Sequence, residues 1–190
     1  MKTKRKHKGT AFAMHPFLHF KTVTKHRHAV FVHCCKAGIP VRGLLHDLSK
    51  FSPTEFWEGA KYYQGTQSPN VGARQERGCS EAWMHHKGRN KHHFEYWTDY
   101  HPVTKRMSPV KMPLVYVAEM FCDRVAASKT YQGKNYRESH PLEYFLKGKD
   151  HRVIHPETSD LLERWLVLLS EKGEEETFRE IRKQLKKKES

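Results

Sequence analysis

The stretch LLHDLSKFSP (44–53) sets a histidine and an aspartate side by side after an apolar pair, with Lys50 three residues beyond the acid. A second stretch, HHKGRNKHHFEYW (85–97), adds four histidines. Histidine offers a neutral imidazole nitrogen and aspartate a carboxylate, a donor set that suits Mn, Fe, Co, Ni or Zn. Helical spacing gathers further donors. His26, Val30 and His33 share one helix face, and so do Glu119 and Asp123, four residues apart. Asp123 falls between Phe121 and Val125, on the apolar side, where an unpaired carboxylate is costly. A metal ion or an arginine would resolve that cost. A divalent ion makes hydroxide from water at neutral pH. Lys50, Arg89 and Lys91 are cations suited to neutralising phosphoryl oxygens. Glu55 or Glu119 would orient the water or hold a ligand histidine. Each residue alone has a blander reading, as a hydrogen-bonded core histidine or a solvated surface charge. The combination of His, His-Asp, a histidine cluster and a late helical Asp is what points to a metal site.

These residues need helices to position them. Apolar residues recur as Val23, Ala29, Val30 and Val32 with no Pro or Gly, which predicts a helix over 19–37, ended by Gly38-Ile39-Pro40. A second helix is expected over 41–50. Adjacent helical residues point about 100° apart, so His46 and Asp47 reach one ion only if it sits between their directions. Ser52 or Thr54 caps a third helix carrying Phe56, Trp57, Ala60 and Tyr63, with Pro53 in its first turn. Residues 64–78 read as a loop, rich in Gly, Ser, Pro and Asn. Ser80-Glu81 starts a short helix into His85-His86, and Asn90 is a cap for a helix over 91–99. Residues 100–112 read as a loop. Pro113 opens a helix over 113–129, and a late helix runs from Pro156 to Leu169 before Gly173. The last segment, acids first and lysines last, suits a solvated helix aligned with its dipole. No strand-like alternation is evident, so the fold class is all-α.

Composition narrows the setting. The formal charge is +14, and +9 once residues 1–8, with five Lys/Arg and no acid, are set aside. Such a surface attracts phosphate-bearing molecules, nucleotides or nucleic acid. No apolar run is long enough for a membrane span, and no apolar segment follows the basic start to make a secretory signal. Four cysteines, Cys34, Cys35, Cys79 and Cys122, form no CxxC pair and read as reduced thiols in a cytoplasmic protein. Trp57, Tyr62, Tyr63, Trp83, Tyr96 and Trp97 crowd the same central third; they are core candidates first and base-stacking candidates second.

The order His26, His46-Asp47 in LLHDLSK, and Asp123 in EMFCDRVAAS resembles the HD superfamily of metal-dependent phosphohydrolases. The likeness spans roughly residues 20–130, and HDLSKFSPTEF with HHKGRNKHHFEYW is similar to a poorly characterised HD-like subfamily. The resemblance implies a single-domain HD-like helical bundle; the chain divides into a basic arm over 1–18, the metal-binding domain over 19–150 and C-terminal helices over 151–190. It implies His26, His46, Asp47 and Asp123 as ligands of a divalent transition metal. His86 with one of His92 or His93 matches the pattern of members that bind two ions. The short gap from His26 to His46 leaves His28 and His33 as alternatives for the first ligand. Lys50 stands where relatives keep a phosphate-contacting lysine, and Glu55 near an acid of some nucleotidases. The expected activity is hydrolysis of a nucleotide or other small phosphate ester through a metal-bound hydroxide. The alternatives are an HD-like di-iron oxygenase and a nucleotide- or nucleic-acid-binding module with a structural metal.

Overall fold

The computed structural model describes residues 13–189. It is an all-α bundle with one small hairpin. Helix α1 (Pro16–Ala37) starts on a proline, three residues before the expected position. Gly38 ends it with φ 82, donating its N–H to the Cys34 and Cys35 carbonyls, the left-handed stop that glycine adopts without strain. Of the basic arm expected over 1–18, residues 1–12 lie outside the described residues, and its last three, 16–18, already belong to α1.

Helix α2 (Pro40–Leu45) is shorter than expected. It stops before His46, whose backbone is extended at ψ 131. Asp47 then takes φ 53, ψ 28 ahead of a 3-10 turn over Leu48–Phe51. The His-Asp pair therefore sits on a helix break and not on a helix. The break removes the angular restriction that a helix imposes on neighbours. Left-handed backbone at a non-glycine residue is a strain that folds tolerate at functional sites, and aspartate tolerates it better than most.

Helix α3 (Pro53–Lys61) is capped as expected, with the Ser52 hydroxyl accepting from the Glu55 N–H. Helix α4 (Pro69–Arg77) occupies the stretch expected to be a loop. Helix α5 (Glu81–Lys87) begins on Ser80, which accepts from the Trp83 N–H. No helix forms over 91–99; the chain makes a 3-10 turn at Phe94–Tyr96 and enters a two-stranded antiparallel sheet, β1 (Thr98–Tyr100) and β2 (Met107–Pro109), paired Thr98 with Pro109. That hairpin corrects both the strand-free reading and the loop expected over 100–112.

Helix α6 (Leu114–Gln132) is the central rod, burying Val117, Ala118, Met120, Phe121, Cys122, Val125 and Ala126. Helix α7 (His140–Lys147) follows, then α8 (Pro156–Glu189), interrupted at Gly173 with φ 80. The core joins α1, α6, α7 and α8 through Val30, Cys34, Phe121, Phe145, Trp165, Leu166, Phe178 and Ile181. Two close approaches set the helix positions around the histidines. A Cβ at Gly43 would lie 2.6 Å from the Cys34 Cβ, so α2 lies directly against α1. A Cβ at Gly59 would lie 2.3 Å from the His19 Nε2, so α3 lies as tightly on the N-terminal half of α1. No helix among the described residues is long and apolar enough to cross a membrane, and the four cysteines are free, with Cys34 and Cys122 buried.

Candidate metal centre

Five elements converge on Asp47. Helix α1 supplies His26, the break after α2 supplies His46 and Asp47, α5 supplies His86, the following turn supplies His92 and His93, and α6 supplies Asp123. One donor atom from each of Asp47, His86, His92 and His93 lies within 4.8 Å of the others, and the same holds for His26, His46 and Asp123. A third group is made of His46, His92 and Glu119, and the first two groups meet on the Asp47 carboxylate. Its Oδ2 faces the His46 Nε2 at 3.4 Å, and its Oδ1 faces the His86 Nε2 at 3.2 Å and the His92 Nε2 at 3.3 Å. Asp123 Oδ1 lies 3.0 Å from the His26 Nε2 and 3.8 Å from the His46 Nε2.

The atoms aimed into this space lack hydrogen bonds. His46 Nε2, Asp47 Oδ1, His92 Nε2 and His93 Nε2 are buried without a partner in hydrogen-bond geometry. Buried polar atoms are nearly always satisfied, and a bound ion would satisfy all four of these at once. Imidazole nitrogens and carboxylate oxygens are what a divalent transition ion takes as donors. The clusters are fit to hold a metal ion.

The outer nitrogens of the rings, by contrast, are held. Glu119 Oε1 accepts from His46 Nδ1 at 3.1 Å and from His92 Nδ1 at 3.2 Å. Its Oε2 accepts from Arg42 Nε at 2.9 Å and is 2.7 Å from a terminal guanidinium nitrogen. Glu55 accepts from His86 Nδ1 at 2.7 Å and from His85 Nδ1 at 2.6 Å. These carboxylates fix which nitrogen carries the proton and leave the inner one as a donor to metal. Glu119 and Glu55 thus stand behind the histidines. His85, which the sequence reading passed over, is tied to the same Glu55.

The electrostatics follow the geometry. Burial opposes charge on Asp47, yet His46, His86 and Lys50 hold its carboxyl well below the usual range. Burial also opposes charge on Asp123 and Glu119; His26 keeps the first low, and His46 with His92 bring the second to about 2. Burial disfavours a charged His92, but Asp47 and Glu119 on its two sides raise it to about 10. The centre without an ion keeps a proton there that a divalent cation would displace. Burial lowers His46, and burial with its neighbours His92 and His86 lowers His93 well below the ordinary value.

The alternatives for the first ligand separate. His33 stacks on Phe178 and meets Lys129 and Glu174, and His28 is exposed beside Phe20, Lys21 and Lys25. His26 alone of the three meets Asp123. Both His92 and His93 lie within the cluster.

The phosphate-binding candidates do not converge. Lys50 Nζ is 3.5 Å from Asp47 Oδ2. Its side chain is 28% exposed, beside Asp123 at 20% and His26 at 13%, so this edge of the centre faces solvent. Arg89 and Lys91 instead line a cleft of about 230 Å³ behind His92 and Glu119, which Lys50 does not line. Among the aromatics, Tyr62 is core, Trp97 is tied through its Nε1 to the Lys91 carbonyl, and Trp57 is exposed.

The family model that fits this chain covers residues 15–167, from the first turn of α1 into α8. The chain belongs to DUF5662, a family of unknown function. Every donor of the centre falls inside that span. No curated protein and no solved structure matches the chain.

Proposed function

We propose that the chain is a metal-dependent phosphohydrolase that cleaves a small phosphate ester. The reading is carried by one observation: unpartnered histidine and aspartate atoms face a shared space, with the Lys50 ammonium at its solvent-facing edge. His26, His46 and Asp123, with Asp47 Oδ2 beside His46, would hold one ion; Asp47, His86, His92 and His93 would hold a second. A bound divalent ion supplies a Lewis acid that brings the pKa of water from about 15.7 to about 7. The remaining work belongs to the chain. Glu119 and Glu55 hold three imidazoles in fixed tautomers. Lys50 stays charged, because Asp47 and Glu55 outweigh its burial, and it would take a phosphoryl oxygen. The basic surface favours approach of an anionic substrate.

The test is turnover of a panel of phosphomonoesters and phosphodiesters, nucleotides included, by protein loaded with Mn or Co. Lys50→Gln should lower kcat/KM at least tenfold with metal content unchanged. Inactivity of every metal-loaded sample overturns the reading. The histidine-rich second group favours one other assignment, an HD-like di-iron oxygenase. Two irons, a visible absorption band and oxygen consumption would select it, and a colourless Mn-dependent hydrolase would exclude it.

A further inference from the structure

The cleft behind the centre joins the turn after α5 to α2 and the start of α6. Arg42, Arg89 and Lys91 line it, with Glu119 as its one carboxylate, so its walls carry three cations against one anion. Lys91 makes no ion pair or side-chain hydrogen bond among the described residues; its ammonium lies 5.9 Å from the ring centres of Tyr96 and Tyr116. Arg89 makes no ion pair there either, and its guanidinium reaches only the His85 carbonyl, at 3.2 Å. Arg42 sits over Tyr116, 4.5 Å from the ring centre, and uses two of its donor nitrogens on Glu119. A guanidinium has five N–H donors, so Arg42 keeps others for a ligand. Two unpaired cations and a third with spare donors, in a concave polar space, make a complementary seat for a small dianion.

We infer that this cleft binds a small oxyanion of the inorganic phosphate class, at a site separate from the metal-facing atoms. Separation follows from the rings. Glu119, which holds His92 through Nδ1, lines the cleft, whereas Asp47, which His92 Nε2 faces, does not. The site is coupled to the centre because Arg42 holds one oxygen of Glu119 while the other orients His46 and His92. An anion on Arg42 draws the guanidinium from Glu119, which leaves more negative charge on the histidines' outer nitrogens. It also adds negative charge near the centre. Both effects strengthen cation binding, and linkage makes them reciprocal. The inference stands whether or not the centre is hydrolytic.

The experiment is calorimetric titration of inorganic phosphate into chelator-treated full-length protein at low salt. One equivalent should bind, with Kd weakened at least tenfold by Lys91→Gln or by Arg89→Gln, both exposed and without an ion pair among the described residues, and unchanged by Lys50→Gln. No binding overturns the site. So does binding lost on Lys50→Gln and kept on Lys91→Gln, which would place phosphate at the metal edge, or equal weakening by all three, which would mean bulk attraction. In a second titration, Mn should bind more tightly with phosphate present, and Lys91→Gln should remove that gain. An unchanged Mn affinity overturns the coupling.

Discussion

Replacing Glu119 by glutamine keeps the side-chain shape and removes one charge. Glu119 is buried at 1% exposure and one oxygen serves two imidazoles while the other serves Arg42. Its carboxyl is held near 2 by those partners against its burial. The amide still accepts a hydrogen bond but loses the charge assistance, which roughly halves each contact. Losing one charge-assisted bond of this kind costs about 1.5–3 kcal/mol, so thermal stability of the metal-free protein should fall by that order. The ions feel it through ligand basicity. Removing an outer partner of a ligand histidine weakens metal binding by roughly 10- to 100-fold, or about 1.4–2.7 kcal/mol. Competition against a chelator of known affinity measures this directly. Glu119→Gln should keep the stoichiometry of the wild type and lose one to two decades of affinity. Unchanged affinity would show that Glu119 does not act on the histidines. Loss of the ion altogether would show that Glu119 is itself a ligand, and that the rings are turned the other way.

Two further outcomes test the framework around the centre. Gly59→Ala places a methyl against the His19 imidazole and should cost about 1–3 kcal/mol, read as a lower melting temperature, because His19 is packed by Phe56 and Tyr63 and has little room to yield. Burial, with Lys50 nearby, lowers His19 to about 4, whereas an unfolded chain titrates near 6.5. Between these values the unfolded state binds the extra proton. Stability is therefore full above about pH 6.5 and falls as pH drops to about 4, by on the order of 3 kcal/mol from this group. His19→Gln should flatten the chemical-denaturation stability profile in that window; an unchanged slope would place the titration elsewhere.

The helices that build the core were legible because their signals are local. Gly38 and Pro40 end α1, Ser52-Pro53 opens α3, and the apolar face of α6 repeats with helical period. Helix α4 shows how composition misleads. Ser68, Pro69 and Gly78 are start and stop signals for a helix, with Gly78 at φ 79, but the polar residues around them read as loop. Residues 91–99 fail for the opposite reason. Asn90 looks like the start of a helix, yet its amide donates to the Ser49 hydroxyl and to the His86 carbonyl in the last turn of α5, so it ties the turn to the centre and opens no helix. The residues that come together around Asp47 were legible as types, since their combination, and not any one of them, points to a shared site. What spacing does not encode is the tertiary geometry: the break at His46-Asp47 that turns both side chains inward, the use of Glu119 and Glu55 behind the rings, and the passage of Arg89 and Lys91 to the far side of His92.

Elemental mass spectrometry on tag-free protein, wild type beside Asp47→Asn, tests the metal centre most directly. Asp47 faces both donor groups, one with each oxygen, so its loss should remove the metal from both while the substitution keeps the shape. One or two equivalents of Mn, Fe, Co, Ni or Zn in the wild type, absent from Asp47→Asn, is the predicted result. No metal in either protein after reloading, or equal metal in both, would contradict it.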